Sequence, residues 1–508
     1  MHRSNGDAAH RSKGADRSKG ADRPHSSGSD FLQLDIAQAP PGGLADWLAR
    51  RLRRAISDGR LPLGSTLPAT RVLAAELRVS RGVVTEAYQR LVEDGHVVGR
   101  GRRGTVVVSV PPTAPAPPAP LGDPSADALF APSPTDEVFE TLRAAPARVD
   151  LTPGVPDLAA FPRAAWLRAE RAVLAELPAA ELGYGDPRGA PALRAAIARW
   201  LARNRGIAAS PDEVLVVNGT AQALVLAGEA LHRDGYGAMA VEEPGSLGVR
   251  LHIARTRLAT PPVPVDEEGV RVDVLRELGV RAALLTPAHQ FPTGVVLSGE
   301  RRRALMRWAE ATGGLVFEDD YDAEHRYDRP PVPALRSVLP EQVCYTGSVS
   351  KLLAPALRVG WVLAPPRLHA AMVAAKRHAD LGNPVLPQLV LARLMDSGEL
   401  ERQLRQLRLR HRRRRDAMVA ALRELVPEAV VHGAAAGLHL MVTLEGPYGD
   451  VDDTRLAARV LERGVKTHPL SWHRQRPGPP GLVLGYAART PTDIAEGIGE
   501  LARALDGR

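Results

Sequence analysis

Between residues 111 and 134 the chain carries nine prolines, at positions 111, 112, 115, 117, 118, 120, 124, 132 and 134. Proline donates no backbone hydrogen bond and fixes φ, so no helix or central strand can run through such a stretch. The stretch reads as a semi-extended spacer of polyproline character, and it obliges the chain to fold as separate parts on either side. Those parts differ in charge. Residues 44–110 hold twelve Arg against six Asp and Glu, a net of +6, whereas residues 1–43 and 111–508 each come to +1 within a total of +8. A small basic part beside a large, nearly neutral one suggests a polyanion-binding module joined to something that controls it. Residues 1–30 contain Arg-Ser-Lys-Gly-Ala-Asp twice, at 11–16 and 17–22, and almost no large apolar side chains; they are expected to be a disordered tail. The boundaries expected are a tail and lead-in over 1–43, a first domain over 44–110, a linker over 111–147 and a large domain over 148–508. A smaller C-terminal subdomain is expected from about 385.

In the first domain Leu44, Leu48, Leu52 and Ile56 repeat at helical spacing, and Asp58-Gly59 ends that helix. Leu61 to Pro68 is a turn-rich connection. Thr70 is expected to cap a second helix running through Glu76 and Leu77, and Ser80 a third over 81–94, with Gly95 as its stop. Val97-Val98 and Thr105 to Val108 read as two strands joined by the basic hairpin Gly99 to Gly104. The pattern is a winged helix-turn-helix, suited to double-stranded DNA, with the third helix entering the major groove by its first turn. Ser80 opens that helix, and Arg81, Thr85, Tyr88 and Gln89 fall on faces that reach bases or phosphates. Arg100, Arg102 and Arg103 bring the wing to the DNA backbone. The order Leu61-to-Pro68 turn, Arg71, Leu73-Ala74, Ser80-Arg81, Val84, Ala87-Tyr88, Leu91, Gly95 resembles the GntR winged helix along its whole length. The resemblance implies that Arg71, Arg81 and the wing glycine Gly104 lie at the DNA.

From about residue 148 helical stretches alternate with short apolar runs. Val214 to Val217, Ala282 to Leu285 and Gly314 to Phe317 are expected to be buried parallel strands of an α/β domain, with ligands at the strand ends. Within Gly347-Ser348-Val349-Ser350-Lys351-Leu352-Leu353-Ala354-Pro355-Ala356-Leu357-Arg358 stands one of only five lysines, in a chain that otherwise uses Arg for positive charge. A lysine there signals a need for an amine. Arg358 supplies a fork for phosphate oxygens, and Ser348 and Ser350 supply hydroxyls. Amine, anion clamp and hydroxyls together suit pyridoxal 5'-phosphate (PLP) held as a Schiff base. Asn218-Gly219-Thr220-Ala221-Gln222 follows a strand and opens a helix, whose free N–H groups suit a phosphate. The acidic run Glu318 to Glu324 would suit a metal, but a carboxylate facing a pyridine nitrogen explains it better, and no metal is expected.

The Lys351 stretch resembles the PLP-lysine motif of fold-type I aminotransferases, in the form found in MocR/GabR-type regulators of the GntR family. Tyr184-Gly185-Asp186-Pro187-Arg188-Gly189 and Thr286 to Gly294 are similar to further motifs of that family in the same order. The resemblance implies that Lys351 forms the Schiff base, Asp319 faces the ring nitrogen and Tyr321 contacts the ring oxygen. It also implies a head-to-tail homodimer and assigns His289 a structural role. Three departures stand out. Ser246 occupies the place of a ring-stacking aromatic, and Phe291 that of an Asn. Gly481 to Ala487 lacks the Arg that binds a substrate carboxylate, leaving Arg474, Arg476 and Arg489 as nearby candidates.

The chain has no run of ~18 uninterrupted apolar residues and no apolar N-terminal segment, and Cys344 is its one cysteine, so it reads as cytoplasmic. The arginines at 402–415 fit a long helix with a solvated face. The expected function is a transcription regulator that reads an operator and senses PLP, or an amino acid or amine joined to it. Two rivals share these residues: a working aminotransferase with an accessory DNA-binding domain, and a DNA-binding protein whose large domain only dimerises.

Overall fold

The computed structural model describes residues 28–29, 32–40, 43–101, 104–109, 126–131, 134, 137–327 and 332–507. Residues 1–27 of the expected tail, most of the proline-rich spacer, and Arg102 and Arg103 of the wing lie outside the described residues. The chain divides into two compact units. One takes the residues up to Val92 together with Val97–Val107, and the other takes Glu93–His96 and everything from Val108 onward.

The first unit is built on the helices Leu44–Ser57, Thr70–Leu77 and Arg81–Glu93, with an antiparallel sheet of Thr66–Leu67, Thr105–Val107 and Val97–Gly99 in that order. Its core is Leu48, Leu52, Ile56, Leu73, Val84, Ala87 and Leu91, the apolar positions of the three helical stripes. Thr70 is the first helical residue and Ala69 the cap, so Thr70 does not cap the second helix. Ser80 does cap the third, accepting from Val83 N–H at 3.4 Å. Gly104 has φ +79° and closes the wing, where Arg100 N–H donates to the Gly104 carbonyl at 2.8 Å.

The second unit is organised by an eight-stranded mixed sheet in the order Gly269–Val270, Pro262–Asp266, Ala240–Glu243, Ala282–Leu285, Leu315–Asp320, Val343–Ser348, Gly360–Leu363, Val214–Val217. The run from Pro262–Asp266 to Val343–Ser348 is parallel. Val214–Val217 is fully buried, as expected, but it is antiparallel to Gly360–Leu363 and lies at the end of the sheet. Its apolar run signals coverage on both faces, which an antiparallel end strand also receives. Helices Thr220–Arg233 and Pro366–Asp380 cover one face, packing Leu224, Leu231, Leu368 and Met372 on Leu215, Val241, Leu284, Phe317 and Val362. Helices Pro191–Arg205, Val385–Asp396 and Gly299–Thr312 cover the other. The arginine-rich stretch lies on the helix Glu399–Leu425, which buries Leu400, Leu404, Leu407 and Met418. A C-terminal antiparallel sheet runs Ala429–His432, His439–Leu444, Gly481–Gly485, His468–Pro469. Val465–Lys466 pairs in parallel with Val149–Asp150. Among the described residues no helix is long and apolar enough to cross a membrane.

Alternation along Leu315–Asp320 sends Leu315 and Phe317 to one face and Val316 to the other. Glu318 and Asp320 follow Val316. Glu318 accepts from the backbone N–H groups of Leu335 (2.8 Å) and Arg336 (3.0 Å), and Asp320 accepts from Arg205 Nε (2.6 Å) and Tyr345 Oη (2.7 Å). Arg205 and Asp320 are both fully enclosed. Removing one member of such a pair strands the other charge in a low-dielectric interior, at about 3–5 kcal/mol. Arg205→Ala should therefore lower the urea midpoint sharply, and the volume-conserving pair Arg205→Met with Asp320→Leu should recover most of the loss.

Candidate functional site

Asp319 faces away from its two acidic neighbours and, with the other residues expected at the site, lines one cavity of about 900 Å3. Gly219, Thr220, Ala221, Asp319, Tyr321, Ser348, Ser350, Lys351 and Arg358 all contribute to its wall. They arrive from three places on the sheet: the turn after Val214–Val217, the end of Leu315–Asp320 and the turn after Val343–Ser348. Parallel register sets Asp319 beside Thr346 and Asp320 beside Gly347, so the turn carrying Lys351 begins where the carboxylate ends.

Lys351 Nζ donates to the Gly154 carbonyl. Gly154 has φ +84°, and a β-carbon there would lie 3.1 Å from Nζ, so only glycine lets this backbone approach the amine. Burial pushes the Lys351 pKa down, against the pull of Asp322 and Asp319. Asp319 is pushed up to about 7, first by burial and then by Asp320 and Asp322, while Lys351 and a hydrogen bond from Thr220 oppose the shift. Asp319 Oδ1 is buried without a hydrogen-bond partner among the described residues. Glu242, two strands away on Ala240–Glu243, is likewise pushed to about 7 by burial and accepts from Thr286 N (2.9 Å) and Oγ1 (2.6 Å).

At the start of Thr220–Arg233, Gly219 has φ +84°, and a β-carbon on it would meet the Arg358 guanidinium at 3.5 Å. Arg358 itself has φ +51° and donates to the Asn218 carbonyl. Asn218 Nδ2 donates to Asp380 (3.1 Å), which also accepts from Gln222 (2.7 Å) and Lys376 (2.8 Å). Asn383 Nδ2 bridges to Asn218 Oδ1 at 2.6 Å and to the Arg358 carbonyl at 3.3 Å. Ser348 Oγ donates to Ser350 Oγ at 2.9 Å and accepts from Ser350 N–H at 3.1 Å. The result is a cradle of N–H groups, hydroxyls and one guanidinium, the donor set a phosphate dianion requires.

Tyr321 Oη lies 3.1 Å from His289 Nδ1 and 3.2 Å from the His289 carbonyl, and His289 Nδ1 is 2.9 Å from Asp322 Oδ2. With His439 this pair brings three ligand atoms within 4.8 Å of one another, a spacing that could hold a metal. The hydrogen bond between His289 and Asp322 already accounts for two of them. Ser246 caps the helix Leu247–Ala254, accepting from Val249 N–H at 3.4 Å. Arg474, Arg476 and Arg489 do not line the cavity. Arg474 donates to the Pro479 carbonyl and Arg489 to the Asp150 carbonyl (3.2 Å). The wall instead carries residues that the sequence reading did not single out for the site: Glu242, Arg143, His252, His439, Lys466, His468 and His473.

In the first unit Arg71, Ser80, Arg81, Thr85, Gln89 and Arg100 are exposed, in keeping with the expected face. Arg81 Nε donates to Thr70 Oγ1 at 3.3 Å. Tyr88 is not on that face: it is 5% exposed, and its hydroxyl donates to the Pro68 carbonyl at 2.8 Å. Its helical position turns it inward beside Val84 and Leu91, so its role is to pack the connection before the second helix.

Comparison with known proteins covers both units. Residues 44–107 match the family "Bacterial regulatory proteins, gntR family", and residues 148–498 match "Aminotransferase class I and II". The chain is 31% identical to the probable rhizopine catabolism regulatory protein MocR of Rhizobium meliloti, over 90% of this chain and 93% of the relative. It is also 31% identical to the HTH-type pyridoxine biosynthesis transcriptional regulator PdxR of Corynebacterium glutamicum, over 93% and 98%. Among solved structures it is similar to LysN, an α-aminoadipate aminotransferase of Thermus thermophilus, complexed with N-(5'-phosphopyridoxyl)-L-leucine. That likeness has a TM-score of 0.65 and 29% identity, covering 73% of this chain and 94% of the other.

The raised Asp319 pKa makes a prediction about pH. Between its ordinary 3.8 and about 7 the folded chain keeps a proton that the unfolded chain has released. This stabilisation is complete below the ordinary value and is lost as pH rises through 7. Asp319→Asn removes the loss. The cofactor-free variant should match the wild type near pH 4 and exceed it at pH 8, on the order of 2–4 kcal/mol, measured by urea unfolding at both pH values.

Proposed function

Because the chain belongs to the GntR-type transcription regulators that carry an aminotransferase class I and II domain, the MocR type, we propose that its large unit binds PLP through Lys351. The liganded state then sets how the winged helix engages its operator. The observation that carries this reading is the meeting of a buried amine, a buried carboxylate with an unused oxygen, and a phosphate-type cradle in one cavity.

Each side chain has a task in this reading. Burial favours the neutral Lys351 amine, the form that attacks a carbonyl carbon. Asp319 Oδ1 is the acceptor for a ring N–H, and Asp319 gives up its own proton near pH 7 when a cation faces it. Arg358, Ser348, Ser350 and the N–H groups of Gly219, Thr220 and Ala221 hold the phosphate. Tyr321, steadied by His289 and Asp322, offers its hydroxyl to the ring oxygen. PLP, when bound, supplies an electrophilic aldehyde on an electron-withdrawing ring.

In the DNA-reading unit Ser80, Arg81, Thr85 and Gln89 at the start of the third helix meet the major groove, while Arg71 and the wing (Arg100, Arg102, Arg103, Gly104) meet phosphates. A head-to-tail homodimer would present two such readers to repeated half-sites of double-stranded DNA. The effector is PLP itself or an amino acid or amine joined to it, and it acts only by binding two domain arrangements unequally. A working aminotransferase is the second reading, favoured by the intact amine, carboxylate and cradle. Steady turnover of an amino donor with a keto acid would establish it over the sensor.

The test begins with purified full-length protein and added PLP. A visible absorption band should form in the wild type and be missing in Lys351→Ala. Arg358→Ala should weaken PLP about 10–100-fold, the worth of a charge-assisted hydrogen bond or two. Fluorescence anisotropy on duplexes selected from random sequence by the full-length protein should show binding that depends on PLP in the wild type only. Binding indifferent to both PLP and Lys351→Ala would leave the large unit as a dimerisation scaffold.

A further inference from the structure

The PLP reading uses only part of the cavity. Two cations on its wall, Arg143 and Lys466, have no task in it, and neither do the imidazoles of His468 and His473. Lys466 is 5% exposed, and its Nζ makes one hydrogen bond among the described residues, to the Arg143 carbonyl at 3.0 Å. An ammonium carries three N–H donors. Asp150 is its register neighbour across the two-strand ladder but forms no ion pair with it; its Oδ1 accepts from Thr152 N (2.9 Å) and Oγ1 (2.7 Å).

His473 is 2% exposed. Its Nδ1 accepts from Leu247 N–H at 3.4 Å, so a neutral ring carries its proton on Nε2. That Nε2 is buried without a hydrogen-bond partner, and so is Nδ1 of His468, whose ring stacks on His473 at 5.7 Å. Phe291 lies edge-on to His473 at 5.0 Å and to Tyr321 at 6.4 Å, which links the histidine wall to the Asp319 side of the cavity. An enclosed ammonium with spare donors and, on the same cavity wall, an enclosed N–H with no acceptor are costly unless ligand oxygens meet them. The arginines considered for a substrate acid all lie off the wall and Arg143 is exposed, which leaves Lys466 as the enclosed cation without a task.

We propose that Lys466, His468 and His473 form a second subsite that takes the carboxylate of an amino acid whose amine reaches Lys351, so that the effector must carry both groups. Lys466 supplies the charge and His473 Nε2–H a directed hydrogen bond. His468 turns its free nitrogen to the same group or to the ligand's own donor. The inference rests on the proposed binding of PLP at Lys351.

The test uses PLP-loaded, full-length protein and reads the change in its visible spectrum on titration. L-Alanine and β-alanine are each compared with ethylamine, and 5-aminopentanoate with butylamine, pairs that differ only in the carboxylate. At least one acid should bind about tenfold or more tightly than its amine in the wild type. Lys466→Met and His473→Phe should each bring that ratio toward one, with the PLP band and PLP affinity retained. Thermal melting identifies a variant that fails to fold, in which case the other decides. Equal binding of acids and amines by the wild type overturns the proposal, as does a ratio that survives in both variants. A wild type with no PLP band overturns the PLP reading itself, an outcome distinct from a band without acid preference.

Discussion

Three consecutive carboxylates, Glu318, Asp319 and Asp320, end a strand buried on both faces, and the site depends on how a two-residue period sorts them. Glu318 and Asp320 turn to one face, where Glu318 accepts from the Leu335 and Arg336 amides and Asp320 Oδ2 accepts from Arg205 and Tyr345. Asp319 turns to the other, where the helix beginning at Thr220 leaves a cavity. A one-residue slip of this strand would take Asp320 away from Arg205 and aim two acids at Lys351. The Arg205 pair therefore acts on register: it makes the wrong alternation expensive.

Burial then does opposite things to the two groups that face one another. It drives Lys351 toward the neutral amine and Asp319 toward the neutral acid, and each charge partly restores the other. Glu242, two strands away on the same cavity wall, is shifted upward by burial as well.

Local motifs carried most of this architecture. The helical stripe Leu44, Leu48, Leu52, Ile56, the cap at Ser80 and the lysine stretch could each be read within a dozen residues, and all nine expected cofactor-site residues meet in one cavity. What escaped the sequence depends on distant pairing. Val214–Val217 reads as parallel because an apolar run reports coverage and not direction, and its antiparallel partner lies about 145 residues away. Tyr88 looked available to DNA until the Pro68 carbonyl, twenty residues back, claimed its hydroxyl. Lys466 stands on a two-strand ladder, His468 on the last strand of the C-terminal sheet and His473 on a short helical turn, with no spacing that marks a site. They join the wall only because the C-terminal sheet folds back over Phe291 and Ser246.

The turn from which that C-terminal portion departs is tied to the cradle. Asn383 grips both Asn218 and the Arg358 carbonyl, and Gly382 N–H donates to the same Asp380 that holds Asn218, Gln222 and Lys376. In mechanical terms the cradle and this turn are braced by the same hydrogen bonds. The left-handed backbone at Leu381–Gly382 (φ +57° and +123°) lets the chain change direction sharply beside them. A few amides and one carboxylate thus act as a keystone, holding the pocket floor on one side and the root of the C-terminal portion on the other.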